Sequence, residues 1–303
     1  MQIPGTNTRT LVGRIRQEFP DLRVSSARRI LSGWDNIVLD VNDRWIFRFP
    51  RSKFAEQNRQ CETKLLELLR EQLTVSIPTY TYVAQPRKGN QYGVAGYKKI
   101  PGTPVTVRGY QTAWTPKLSQ GLAKFLRELH SIETEGSVAK IVSSEWTVQR
   151  MRKYHGQLRT LAYRYLDQDT REILESFFRK SMDLLEQSIY ERTLIHSDLT
   201  DRNILVNPND GKLAGILDWG DVRISDPALD FCGLFEINRR LGYDTVRSYD
   251  DKSKGFLERV EVYWRMLPYF EILYGIYSNH PRIRDSGLKR IRTRLEAPGL
   301  VEP

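Results

Sequence analysis

The chain has 303 residues, 40% hydrophobic and 11% aromatic, enough to bury the core of two lobes and too apolar for a disordered or fibrous protein. Cys61 and Cys232 stand far apart and outside any C-x-x-C pair, which argues against a disulfide framework or a structural zinc site and suits a reducing cytoplasm. The formal net charge of +10 is spread along the chain apart from Arg282, Arg284, Lys289, Arg290, Arg292 and Arg294; a nucleotide site would use part of it, and no nucleic-acid partner is expected.

The opening MQIPGTNTRT has no apolar run, and no window approaches the ~18 apolar residues of a membrane span, so neither a signal peptide nor a membrane partner is expected. Leu11, Ile15 and Phe19, four apart, predict a short helix that Pro20 ends. SARRIL (26–31), NIVLDV (36–41) and WIFRFP (45–50) read as strands joined by tight turns. A helix follows over 52–73, with Ser52 as N-cap and Cys61, Leu65, Leu68, Leu69 and Leu73 as its apolar face. TYTYVA (79–84) and YGVAGYKKI (92–100) predict a further hairpin around Pro86–Asn90.

Pro101-Gly102-Thr103-Pro104 stops both helix and strand and is the best boundary in the chain. Beyond it, helices are predicted at 117–130, 145–165 and 169–190. Short strands and loops follow over 193–222, and helix returns from 229, interrupted at Gly242 and Pro268. The order predicts an α+β protein. A β-sheet lobe with one main helix (1–100) precedes a hinge (101–104) and a larger, mostly helical lobe (105–303).

The only dense cluster of chemically capable side chains lies in LIHSDLTDRNILVNPNDGKLAGILDWGD (194–221). His196, Asp198 and Asn203 form H-x-D-x-x-x-x-N, and Asp218 follows fifteen residues after Asn203, at the end of an apolar run. Phosphoryl transfer needs a nucleophile held in line and a cation on the phosphate oxygens. Asp198 can take the proton of an acceptor hydroxyl. Asn203 and Asp218, brought together by a hairpin through Pro208–Gly211, are hard oxygen ligands suited to Mg²⁺. His196 is read as a loop scaffold. Asp226-Pro227 and Asp230 suit caps and turn anchors of the next helix.

This block, with ISDPALDF after it, resembles the aminoglycoside phosphotransferase group of antibiotic kinases, which share the two-lobed protein-kinase-like fold. SGWDNIV (32–38), IFRFPR (46–51), GYKKIPGTP (96–104) and LAKFLRELH (122–130) are similar too, most closely to the 2″-phosphotransferase branch and to macrolide kinases. The resemblance implies Asp198 as catalytic base, Asn203 and Asp218 as Mg²⁺ ligands, and ATP or GTP as donor. It places the triphosphate under the turn Ser32, Gly33 to Asn36, and the purine against backbone groups of Tyr97, Lys98, Lys99 and Ile100. Two departures stand out. No G-x-G-x-x-G is present, and Arg48 occupies the place of a phosphate-binding lysine, with Glu62 as its expected carboxylate partner.

The acceptor is a small molecule with a hydroxyl group. The group's aminoglycoside sites are acidic because those substrates are polycations. The acidic and aromatic candidates here are Asp230, Glu236, Tyr269 and Glu271, with arginines among them and aromatics that would suit a macrolide. A monomer is expected. Two competing readings are a nucleotide-binding regulator without catalysis, suggested by Arg48 and the sparse glycine turn, and a kinase of another small alcohol. A protein kinase is disfavoured by Ser197 in the catalytic loop and the lack of an A-P-E segment.

Overall fold

In a computed structural model, residues 7–30, 35–106, 108–143, 148–250, 253 and 255–300 are described. Ser32 and Gly33 lie outside them.

Helix α1 (Thr8–Glu18) starts where the Asn7 side chain accepts from Thr10 N at 2.8 Å, and it buries Leu11 and Ile15. Strands β1 (Ala27–Ile30), β2 (Asn36–Val41), β3 (Trp45–Pro50), β4 (Tyr80–Ala84) and β5 (Val94–Lys98) form one antiparallel sheet in the order β1-β2-β3-β5-β4. The β2–β3 turn uses Asn42 and Asp43 at φ 57° and 50°, a left-handed pair that Asn and Asp tolerate well. The sheet's inner face and α1 share one core of Leu11, Ile15, Leu39, Phe47, Phe49 and Val94.

Helix α2 (Lys53–Leu69) is capped by Ser52, whose hydroxyl accepts from Ala55 N at 3.1 Å. Its buried face differs from the expected one. Ala55, Glu56, Arg59, Glu62, Leu65, Leu66 and Leu69 are buried, whereas Cys61 is exposed and Leu68 half-buried. The stripe is rotated because three charged residues are buried as pairs, Glu56 with Arg59 and Glu62 with Arg48. A reading by hydrophobicity places such residues outside.

The second half of α2 joins a larger core. Leu65, Leu66, Leu69, Leu73 and Ile77 pack in one cluster with Leu118, Leu122 and Phe125. Those three lie on α3 (Thr115–His130), which follows the two-residue strand β6 (Thr103–Pro104). After α4 (Val148–Leu161) and α5 (Gln168–Gln187) come β7 (Thr193–Ile195), β8 (Ile204–Val206), β9 (Leu213–Ile216) and β10 (Arg223–Ser225). Strand β7 pairs with β10, and β8 lies between β6 and β9. Pro104 fits a strand because β6 is an edge.

The chain then forms α6 (Cys232–Ile237), α7 (Arg239–Tyr249), α8 (Phe256–Tyr277) and α9 (Pro281–Glu296). The breaks expected at Gly242 and Pro268 do not occur. Gly242 lies inside α7, where a Cβ would meet the Phe235 ring at 2.7 Å, so it permits close helix packing. Pro268 lies inside α8. Its missing N–H frees the carbonyl of Trp264, and Arg294 Nη1 donates to that oxygen at 2.9 Å. Among the described residues, no helix is long and apolar enough to cross a membrane.

Candidate active site

The loop between β7 and β8 carries His196, Ser197, Asp198 and Asn203. Its first residues are pinned from below by Asp230, which is 1% exposed. Asp230 Oδ2 accepts from His196 N at 2.9 Å and Oδ1 from Ser197 N at 2.6 Å. His130 Nε2 lies 3.1 Å from Oδ2, and the Nδ1 of that ring meets the Tyr249 hydroxyl at 2.8 Å. This grip holds Ser197 at a φ of 61°, a left-handed conformation that costs a non-glycine residue about 1–2 kcal/mol.

His196 is fully buried. Its Nε2 lies 3.1 Å from Leu217 O, and Asp198 N donates to its Nδ1 at 3.3 Å. A carbonyl can only accept, so the Nε2 position carries the proton and the ring is neutral. Burial lowers its pKa, in keeping with that state. The ring ties the loop to the end of β9.

Asn203 Nδ2 donates to Asp198 O at 2.9 Å and to Asp198 Oδ2 at 2.7 Å. This fixes the carboxylate and turns Asn203 Oδ1 away from it. Across the hairpin, Leu217 N donates to Asn203 O at 2.8 Å, and Asp218 follows at a φ of 63°. The Asp198 carboxyl is pushed up to about 7, first by burial, then by the charges of Asp221 and Asp218. Asp35, just before β2, is raised by burial and by the same two carboxylates. Asp35, Asp198, Asp218 and Asp221 therefore gather negative charge in one place.

Arg48 answers it from β3. Its Nη1 donates to Glu62 at 2.5 and 2.8 Å and to the Tyr80 hydroxyl at 3.1 Å, and its Nη2 donates to Asp218 Oδ1 at 2.8 Å. Burial disfavours the guanidinium's charge, and Glu62, Tyr80 and Asp218 more than offset it. Asn36 is buried at the start of β2. Tyr97 is buried on β5, edge-on to Tyr80 at 5.6 Å. Lys98 is exposed and Ile100 buried, while Lys99 Nζ pairs with Asp40 at 2.8 Å and Asp43 at 2.5 Å.

The donor set suits Mg²⁺. Asn203, just before β8, and Asp218, just after β9 and with a side chain 48% exposed, offer hard oxygens, and Mg²⁺ takes one or two such groups beside phosphates and waters.

The acceptor candidates divide. Asp230 is committed to the loop, and Tyr269 is fully buried in the helical core, so the structure brings neither to an acceptor surface. Glu236 on α6 and Glu271 on α8 meet each other through Arg290 of α9. Sequence reasoning missed His130 and Asp35. His130 closes the LRELH run on the buried face of α3, a signal read only as resemblance. Asp35 lies in the SGWDNIV run, likewise read only as resemblance, and its nearness to Asp218 and Asp221 comes from the fold.

A family model described as the phosphotransferase enzyme family (APH) matches residues 26–261. The solved GDP and kanamycin complex of APH(2")-IIia is 25% identical, covers 94% of this chain and 97% of its own, and superposes with a TM-score of 0.87. The apoenzyme of macrolide 2'-phosphotransferase MphH from Brachybacterium faecium shares the fold at 18% identity, with 95% and 98% coverage and a TM-score of 0.70. Among curated proteins, the uncharacterized protein YcbJ of Bacillus subtilis (strain 168) is 23% identical over 238 residues, 73% of each chain.

Proposed function

The chain belongs to the phosphotransferase enzyme family, and on that premise we propose that it moves the γ-phosphoryl group of ATP or GTP to a hydroxyl of an antibiotic-type small molecule, an aminoglycoside or a macrolide. Residues 1–100 form the nucleotide lobe in this reading, 101–104 the hinge, and 105–303 the lobe that binds the acceptor and carries the chemistry. The turn at Ser32–Asn36 covers the phosphates, and backbone groups of Tyr97–Ile100 receive the purine.

The observation that carries the proposal is the pairing of Asp198 with Asn203 on a loop locked by Asp230, opposite Asp218. Asp198 accepts the hydroxyl proton through Oδ1 as the acceptor oxygen attacks phosphorus. Its raised pKa matches that task near neutral pH. Arg48 shifts one nitrogen from Asp218 to a phosphate oxygen, while Glu62 keeps the guanidinium in place. Mg²⁺ held by Asn203 Oδ1 and Asp218 would neutralise phosphate oxygens. His196 fixes the loop without exchanging a proton.

Asp198→Ala should lower transfer by roughly 10³-fold or more and leave nucleotide affinity within a few-fold, whereas Asp218→Ala should also weaken Mg-nucleotide binding. Near-wild-type turnover by Asp198→Ala on an acceptor found by screening aminoglycosides, macrolides and amino alcohols would remove Asp198 as base. A nucleotide-binding regulator would instead bind Mg-nucleotide and release no diphosphate with any acceptor.

A further inference from the structure

Two carboxylates near the Asp198 loop, Glu236 on α6 and Glu271 on α8, already have cationic partners. Glu236 lies on α6 one turn after Gly233, where a Cβ would sit 2.1 Å from Leu199 O of the catalytic loop. Cys232, buried one turn before Glu236, has its thiol pushed up by burial and by the charges of Asp230, Glu236 and Asp198. The close approach at Gly233 brings this short helix, and Glu236 with it, up to the Asp198 loop. Glu271 lies on α8 one turn before Tyr274, whose hydroxyl is raised by burial and by Asp35 beyond the cleft.

Arg290 of α9 bridges the two with one guanidinium, Nη1 to Glu271 Oε1 and Nη2 to Glu236 Oε2. Arg294 Nη2 takes the other Glu236 oxygen at 2.5 Å, and its guanidinium lies 4.1 Å from the Trp264 ring centroid. Two carboxylates are thus matched by two arginines. Glu271 Oε2 is the one oxygen of the four that is buried without a hydrogen-bond partner. A ligand bearing several ammonium groups gains from carboxylates only where their charge is not already compensated.

We propose that Arg290 is a specificity-determining residue: by bridging Glu236 and Glu271 it restricts the acceptor to hydroxyl compounds of at most one positive charge and turns away polycations. The inference rests on the phosphotransferase reading above and narrows its substrate class. Tyr274 and Tyr277, 39% and 60% exposed on the same helix as Glu271, offer apolar cover to a bulky acceptor.

The test is calorimetric binding of kanamycin and of a singly charged macrolide to the full chain, wild type against Arg290→Gln and Arg290→Gln/Glu271→Gln. Arg290→Gln should tighten kanamycin at least tenfold by uncovering Glu271 and one oxygen of Glu236, whose other oxygen stays with Arg294. The double variant should return it to within about threefold of wild type, and the macrolide should shift less than threefold throughout. If Arg290→Gln fails to fold, Arg290→Lys, which reaches only one carboxylate, should still gain at least threefold. Kanamycin binding that is unchanged or weaker without Arg290, or a double variant as tight as the single, would overturn the inference. A wild-type protein that binds no Mg-nucleotide would instead remove the phosphotransferase reading, and the kanamycin titration would still decide the charge question.

Discussion

Asp198 is placed where its charge is unwelcome. The folded protein raises its pKa to about 7, above the ordinary carboxylate range near 4, through burial and the neighbouring Asp221 and Asp218. The folded state then holds a proton that the unfolded chain releases, so wild-type stability falls as pH rises from about 4 to about 7. Asp198→Asn has no such loss. Without nucleotide it should be more stable than wild type at pH 8 by about 1–3 kcal/mol, by less at pH 5, and inactive at both. Urea denaturation at the two pH values checks this. Equal stability at pH 8 would mean that the site accommodates the charge without penalty.

At the scale of elements, α6 is the platform under the Asp198 loop, and Gly233 sets how close the two come. A Cβ there would lie 2.1 Å from Leu199 O, a backbone atom that cannot swing away. Gly156 is the contrast: it sits in α4 with nothing within 4 Å of a Cβ. Gly156→Ala should stabilise the protein by about 0.5–1 kcal/mol through helix propensity alone. Gly233→Ala should lower the melting temperature despite the same propensity gain, and reduce kcat at least tenfold by displacing the loop. Thermal melting and steady-state kinetics on both variants separate packing from propensity. A fully active, stabilised Gly233→Ala would show that α6 does not set the loop's position.

The same contrast explains how much the sequence revealed. Strands, caps and the spacing of Asp198, Asn203 and Asp218 were legible because they depend on alternation, local hydrogen bonds and one hairpin. The buried stripe of α2 was not, because Glu56, Arg59 and Glu62 enter it only through partners that hydropathy does not see. Pro268 reads as a helix break until Arg294, from another helix, supplies the lost donor. The pairing of Glu236 with Arg290 joins positions 54 apart in the chain, beyond the reach of any periodicity.

For the whole molecule, Arg48 joins the five-stranded sheet to Asp218 in the C-terminal half. One guanidinium nitrogen compensates Glu62, whose side chain is 1% exposed, and the other reaches Asp218 beyond the cleft. Trp219 N adds a second tie, donating to Glu62 Oε1 at 3.4 Å. Removing Arg48 alone leaves a buried carboxylate without its cation, a defect that usually costs about 3–5 kcal/mol. Arg48→Gln should therefore unfold at markedly lower denaturant, and Arg48→Gln/Glu62→Gln should recover most of the loss, since an amide pair replaces an ion pair. If Arg48 also grips the triphosphate, the double variant recovers stability and does not recover nucleotide affinity, which should stay at least tenfold weaker than wild type. Denaturant melts set beside nucleotide titrations distinguish the two roles. Affinity that returns with stability would make Arg48 a brace between the lobes and nothing more; a fold restored while the nucleotide stays weak would place the guanidinium on the phosphates.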